Sequence, residues 1–77
     1  MKKHPVVLID WIDAKQGGDW AVQDDVDKMK PEPSKSVGFL VRDDDEAVVV
    51  AQTQNTDHLG DCLIIPRGMV RRVTVLK

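Results

Sequence analysis

Seventy-seven residues make one domain near the lower limit of what a single hydrophobic core can hold, and they leave no room for a second. With 42% hydrophobic and 31% charged residues the composition is that of a folded chain, and with only Trp11, Trp20 and Phe39 as aromatics its core must be aliphatic, which favours strands. A formal net charge of -2 argues against a protein that gains its affinity by neutralising a phosphate backbone, so nucleic acid is not the expected partner.

The single cysteine, Cys62, allows neither an internal disulfide nor a multi-cysteine metal site, which fits a reducing cytoplasm, and a small buried hydrophobe is its expected role. Near the start of the chain the apolar run Val6 to Ile9 is too short for a signal-peptide core or a membrane span. A cytoplasmic protein without a membrane segment is therefore expected.

The first strand is predicted from Pro5 to Ile12, with Val7, Ile9 and Trp11 on one face and Val6, Leu8 and Ile12 on the other, so both faces need cover. Ala14 to Lys35 is too long for an idle hairpin and carries Gly17-Gly18, Trp20, Pro31 and Pro33. Within it Asp19 is placed to cap a short helix on which Val22, Val26 and Met29 follow helical spacing, and Pro31 would stop it. From Asp10 to Asp27 the chain is acidic: Asp10, Asp13, Asp19, Asp24, Asp25 and Asp27 face only Lys15.

A second strand is predicted from Ser36 to Arg42, with Gly38 marking a bend or a close backbone approach. Four adjacent carboxylates, Asp43 to Glu46, cannot be buried together, and Asp side chains readily cap backbone turns, so a solvated hairpin loop follows. The third strand runs from Ala47 to about Thr53, and the polar stretch Gln54 to Gly60 connects it to a fourth at Asp61 to Ile65, which Pro66 ends. After the turn Pro66-Arg67-Gly68 the last strand runs from Val70 to Leu76, in a stretch where Arg67, Arg71, Arg72 and Lys77 meet no acid. Four contiguous strands favour an all-β fold, a small five-stranded antiparallel barrel with a long first loop.

This order, together with Ile65-Pro66 and Val70 flanking a tight turn before the last strand, resembles the SH3-like barrel over most of the chain. The Ala-Leu-Tyr-Asp-Tyr segment, the paired tryptophans and any tyrosine of true SH3 domains are missing, so the resemblance does not imply binding of proline-rich peptides. In texture, Asp10-Trp11-x-Asp13, Gly18-x-Trp20, Ser36 to Val41 and Ile65-Pro66-Arg67 resemble small phage- and prophage-encoded proteins. That resemblance implies a compact accessory protein that neutralises a host factor or sequesters a signalling molecule.

Ser34, Ser36 and Cys62 are the available nucleophiles and His4 and His58 the bases, but no nucleophile-elbow motif or triad spacing joins them, so no catalytic activity is expected. Asp19, Asp24, Asp25 and Asp27 lack the ligand spacing of a calcium loop and read as a solvated acidic face, so neither metal nor cofactor is expected. Trp20, in an acidic, glycine-hinged loop, either anchors a partner or folds back over the open end of the barrel. Arg42, Arg67, Arg71 and Arg72 offer forked contacts to phosphate or carboxylate, although Arg71 and Arg72 point to opposite sides of a strand, so only one lines a given surface. His58, beside Asp57 and Asp61, is a further candidate ligand contact or a solvated loop side chain.

The resulting expectation is a homo-oligomeric binding module that acts stoichiometrically on a host protein or on a small anionic, nucleotide-like ligand, with Trp20, Arg67 and one of Arg71 or Arg72 at the contact. A nucleic-acid-binding barrel and a structural accessory subunit are the alternatives.

Overall fold

A computed structural model describes residues 3–14 and 20–77 of the chain. The alternation of Val7, Ile9 and Trp11 against Val6, Leu8 and Asp10 makes β1 (Val6–Asp13), the continuous run Ala47 to Ala51, buried on both faces, makes β3 (Ala47–Gln54), and β2 (Glu32–Asp43), β4 (Leu59–Pro66) and β5 (Val70–Val75) complete the set. A five-residue helix, α1 (Gln23–Asp27), lies between β1 and β2, and a single 3₁₀ turn (Arg67–Met69) joins β4 to β5. The strands form one antiparallel sheet in the order β4-β3-β2-β1-β5. The protein is therefore all-β, with no ladder joining β4 to β5 and so no hydrogen-bonded closure.

The short turn forces the sheet to curl. β4 and β5 stand at opposite ends of the strand order, about 19 Å apart were the sheet flat, at roughly 4.8 Å per strand. From Pro66 to Val70 an extended chain reaches about 14 Å at most, and a 3₁₀ turn reaches less. The two edges must therefore approach each other. Inside the curl, Val7 and Ile9 of β1, Val48 and Val50 of β3 and Ile65 of β4 form a fully buried cluster, and Trp11, Leu40, Met69, Val70 and Val73 pack against it.

β2 begins four residues earlier than alternation predicts, at Glu32 rather than Ser36, and so includes Pro33. The register supplies the reason: β2 pairs with β1 from Glu32 onward, whereas its ladder to β3 spans only Phe39 to Asp43. Residues 32–35 thus form a two-stranded stem with one free edge, where a proline costs no ladder hydrogen bond. The long loop therefore ends at residue 31 rather than at Lys35.

The helix is shorter than predicted and stays exposed along its length. Val22 is its N-cap, with no side-chain cap hydrogen bond, and none of its residues is buried. The Gly17-Gly18 hinge and the Asp19 cap lie outside the described residues. With residues 20–32 exposed throughout, the molecule measures 52 × 21 × 20 Å with a radius of gyration of 15.7 Å, against about 11–12 Å for a compact domain of this length. No helix among the described residues is long and apolar enough to cross a membrane.

Cys62 is exposed rather than buried. It stands on edge strand β4 one position out of phase with the buried Ile65, so its side chain falls on the face turned away from the core. Gly38, by contrast, is where β2 needs a missing side chain. A Cβ there would lie 2.7 Å from the carbonyl oxygen of Ala51 and 3.1 Å from Cβ of Val50. Gly38→Ala is expected to destabilise the fold by about 1–3 kcal/mol through overpacking against backbone, whereas Gly68→Ala, whose Cβ meets nothing within 4 Å, should leave the urea midpoint almost unchanged. Equal midpoints for the two variants in urea denaturation would contradict this account.

Candidate functional site

The β1–β5 ladder carries an irregularity that shapes the surface. Asp10 pairs with Arg72 and Trp11 with Val70, which leaves Arg71 as the extra residue of a bulge. A bulge frees one residue from the alternation and re-aims its side chain. Arg71 thereby lines an open groove of about 400 Å³ together with Asp10, Trp11, Ile12, Pro33, Ser34 and Lys35, at the junction of β5 with the β1–β2 stem.

Trp11 is held rather than loose. Its indole Nε1 donates to Ser36 Oγ at 3.0 Å and its ring packs against the core, on the face of β1 opposite Asp10 and Ile12. Lys35 forms an ion pair with Asp10, and Arg71 and Arg72 are exposed with no ion pair or side-chain hydrogen bond to any described residue. With Asp10 offset by Lys35, the surplus charge of the groove is that of Arg71.

The other two candidate arginines are engaged elsewhere. Asp44 Oδ1 accepts from the backbone N–H of Glu46 at 2.9 Å and of Ala47 at 3.0 Å, the Asp turn expected of this loop. Arg42 Nε donates to Asp44 Oδ2 at 2.6 Å and the same guanidinium pairs with Glu46. Arg67 pairs with Asp43, its Nε donates to the Asp44 carbonyl at 2.9 Å, and its backbone N–H donates to the Glu46 carbonyl at 3.0 Å. Arg42 and Arg67 therefore neutralise the acidic β2–β3 loop. A ligand would have to displace those carboxylates.

His58 lies exposed in the β3–β4 connection, where its backbone N–H donates to Asn55 Oδ1 at 2.8 Å. That backbone contact closes a side-chain-capped turn and leaves the imidazole without a role in the groove. Among the described residues no three His, Cys, Asp or Glu side chains converge as metal ligands would.

Trp20 joins neither the core nor Arg67. Its side chain is 103% exposed, so the fold-back over the core is not adopted and no aromatic-plus-arginine pair forms with it. It stands at the head of an arm on which Val22, Val26 and Met29 are also exposed, with Asp24 and Asp25 in the first turn of α1 and Gln23 Nε2 donating to Asp27 Oδ1 at 2.8 Å. Arg71 and Trp11 are both among the residues that border the groove. Lys35 and Trp11 are the residues that sequence reasoning passed over, because a tryptophan in phase with core residues reads as core, and no local signal marks a bulge in the facing strand.

Comparison with known proteins yields no relative: no family model, no curated protein and no solved structure matches the chain.

The Asp44 carboxyl shows how tightly the loop is held. The hydrogen bond from Arg42, with that from Ala47 N–H behind it, lowers its pKa from 3.8 to about 2. Since the folded value lies below the unfolded one, this contribution to stability is complete above about pH 4 and fades as the pH falls toward 2. Carbon-detected NMR titration should give an Asp44 midpoint near 2 in the native protein, moving up toward the ordinary carboxylate range in Arg42→Gln. An unmoved midpoint would show that the backbone donors alone set it.

Proposed function

We propose that this chain is a non-enzymatic binding module of the phage-encoded accessory kind, acting stoichiometrically in a host cytoplasm by occupying a host protein. The observation that carries the reading is the arm: a tryptophan exposed in full, followed by Val22, Val26 and Met29, on a segment the domain does not need for its own core. Leaving a large aromatic side chain in water forgoes about 1.5–3 kcal/mol of burial. Aromatic anchors of this kind supply binding energy once a partner pocket desolvates them.

The arm's chemistry describes the partner. Asp24, Asp25 and Asp27 outnumber Lys28 along α1 and its C-cap, so the complementary host surface is basic around an apolar pocket. A helix of five residues is marginal alone, so part of the binding energy would go into ordering it, which makes the contact adaptable.

An SH3-like barrel is the scaffold in this reading. The single 3₁₀ turn between Ile65-Pro66 and Val70, and the curl that it imposes on the five strands, support that assignment. The same reading includes a homo-oligomer, supported by the apolar outer face of the sheet, on which Val37 is 60% and Ile64 64% exposed. Nucleic acid is disfavoured because Arg42 and Arg67 are already neutralised by acids.

Affinity capture from host lysate with wild-type protein and with Trp20→Ala tests the arm. A hot-spot tryptophan is expected to account for about 2 kcal/mol or more, roughly a thirtyfold loss of affinity for the captured protein, while the melting temperature stays unchanged because Trp20 touches nothing in the fold. Capture that is indifferent to Trp20→Ala would remove the arm from the function.

A further inference from the structure

The outer edge of β4 is open along a short stretch whose hydrogen-bonding pattern follows from the ladders. The backbone N–H of Arg67 donates to the Glu46 carbonyl and that of Asp44 to the Ala47 carbonyl. Even-numbered residues at the start of β3 therefore direct their backbone groups to β4, and odd-numbered ones to β2. On β4, Leu63 and Ile65 turn theirs toward Val50 and Val48, so Cys62 and Ile64 point N–H and C=O away from the sheet. β4 is the last strand in the order, and no described strand takes these groups up.

The open stretch has defined ends. At Asp61 the backbone takes a φ of 54° and the ladder to β3 is interrupted, and Pro66 has no N–H to give. Between them Cys62, Leu63, Ile64 and Ile65 carry no charge, no proline and no bulge, the devices that keep an edge from pairing. Leu63, in phase with the fully buried Ile65, is still 39% exposed, and Ile64 on the other face is 64% exposed.

Such an edge accepts an extended strand, and a second copy of the same edge fits it. Two β4 strands related by a two-fold axis run antiparallel. When Cys62 of one copy faces Ile64 of the other, every N–H and C=O of both residues finds a partner, and the axis passes between the two Leu63 residues. A shift of two residues puts Cys62 opposite Pro66, which lacks the donor, or Ile64 opposite Gly60, beyond the break at Asp61. In the matched register the two Leu63 side chains cover each other. Asp61 falls beside Ile65 of the second copy and diagonal to its Arg67, so unlike charges approach at the ends of the pairing.

We propose that two copies of this chain join through their β4 edges, Cys62 against Ile64 about a two-fold axis at Leu63, into one continuous sheet. This rests on the homo-oligomer reading and assigns the contact to the edge of the sheet rather than to its outer face.

Sedimentation equilibrium in the micromolar range is expected to give twice the 8.6 kDa mass of one chain. Ile64→Lys, which charges the edge, should weaken association by about tenfold or more. Val37→Lys, on the outer face of β2, should change it by less than about twofold. Cysteine cross-linking reads the register. Leu63→Cys in a Cys62→Ser background opposes two thiols with Cα atoms about 4.5 Å apart, so mild oxidation should join the copies. Wild-type Cys62 lies about 7–8 Å from its equivalent and should stay unlinked. Circular dichroism verifies that the variants fold, and the cross-linking decides alone if Ile64→Lys does not.

A monomer at millimolar concentration overturns both this pairing and the homo-oligomer reading. A dimer that withstands Ile64→Lys but not Val37→Lys overturns the pairing alone and returns the contact to the outer face. Failure of the Leu63→Cys protein to cross-link, or faster cross-linking of wild-type Cys62, overturns it equally.

Discussion

The fold depends on one short connection. Residues 67–69 must carry the chain from one edge of the five-stranded order to the other, and they are too few to do so across a flat sheet. Arg67 anchors this turn to the β2–β3 hairpin through Asp43 and the carbonyl groups of Asp44 and Glu46, while Val70, three residues on, already pairs with Trp11 of β1. The curl that follows brings Ile65, Met69 and Val70 against Val7, Ile9, Val48 and Val50, and so creates the inside of the molecule. Each exposed ion pair along this clamp is weak singly. Their geometric effect is larger than their energy, because they place the turn that the apolar cluster then locks.

The same connection sets the surface chemistry. Arg42 and Arg67, which in sequence look free to hold a ligand, are held by the acids of the β2–β3 loop. Arg71 and Arg72 come after the turn, on a strand with no acidic residue of its own. A one-residue bulge then separates their roles, leaving Arg72 in the ladder and turning Arg71 onto the groove at the foot of the β1–β2 stem. An alternating strand would have put Arg71 and Arg72 on opposite faces, and the bulge breaks that alternation at the point where β5 meets Trp11.

The stem and the arm belong to a different regime from the curled sheet. Residues 32–35 have a strand on one side only, and residues 20–31 have none on either, so this part of the chain contributes nothing to the buried cluster. Local opening there would cost little relative to global unfolding, since few buried apolar contacts oppose it. Such a segment can adapt to a partner while the sheet stays intact, and its acids and exposed apolar side chains lie away from the core cluster.

What the sequence by itself determined was the elements. Alternating apolar residues, the run of carboxylates at Asp43–Glu46 and the prolines at 33 and 66 are local signals, and local backbone physics suffices to turn them into strands, a capped hairpin and a break before Arg67. The all-β class and the meander from β2 to β4 were legible for that reason, and the early start of β2 was not, because Pro33 is tolerated only where the register leaves an edge free. Only the tertiary structure decided which charges are free and which residues border a groove. Arg67 finds Asp43 across 24 positions of sequence, Trp11 finds Ser36 across 25, and Cys62 lies on the face of β4 opposite the buried Ile65. Such pairings are set by the curl and register of the whole sheet, which no window of neighbouring residues contains.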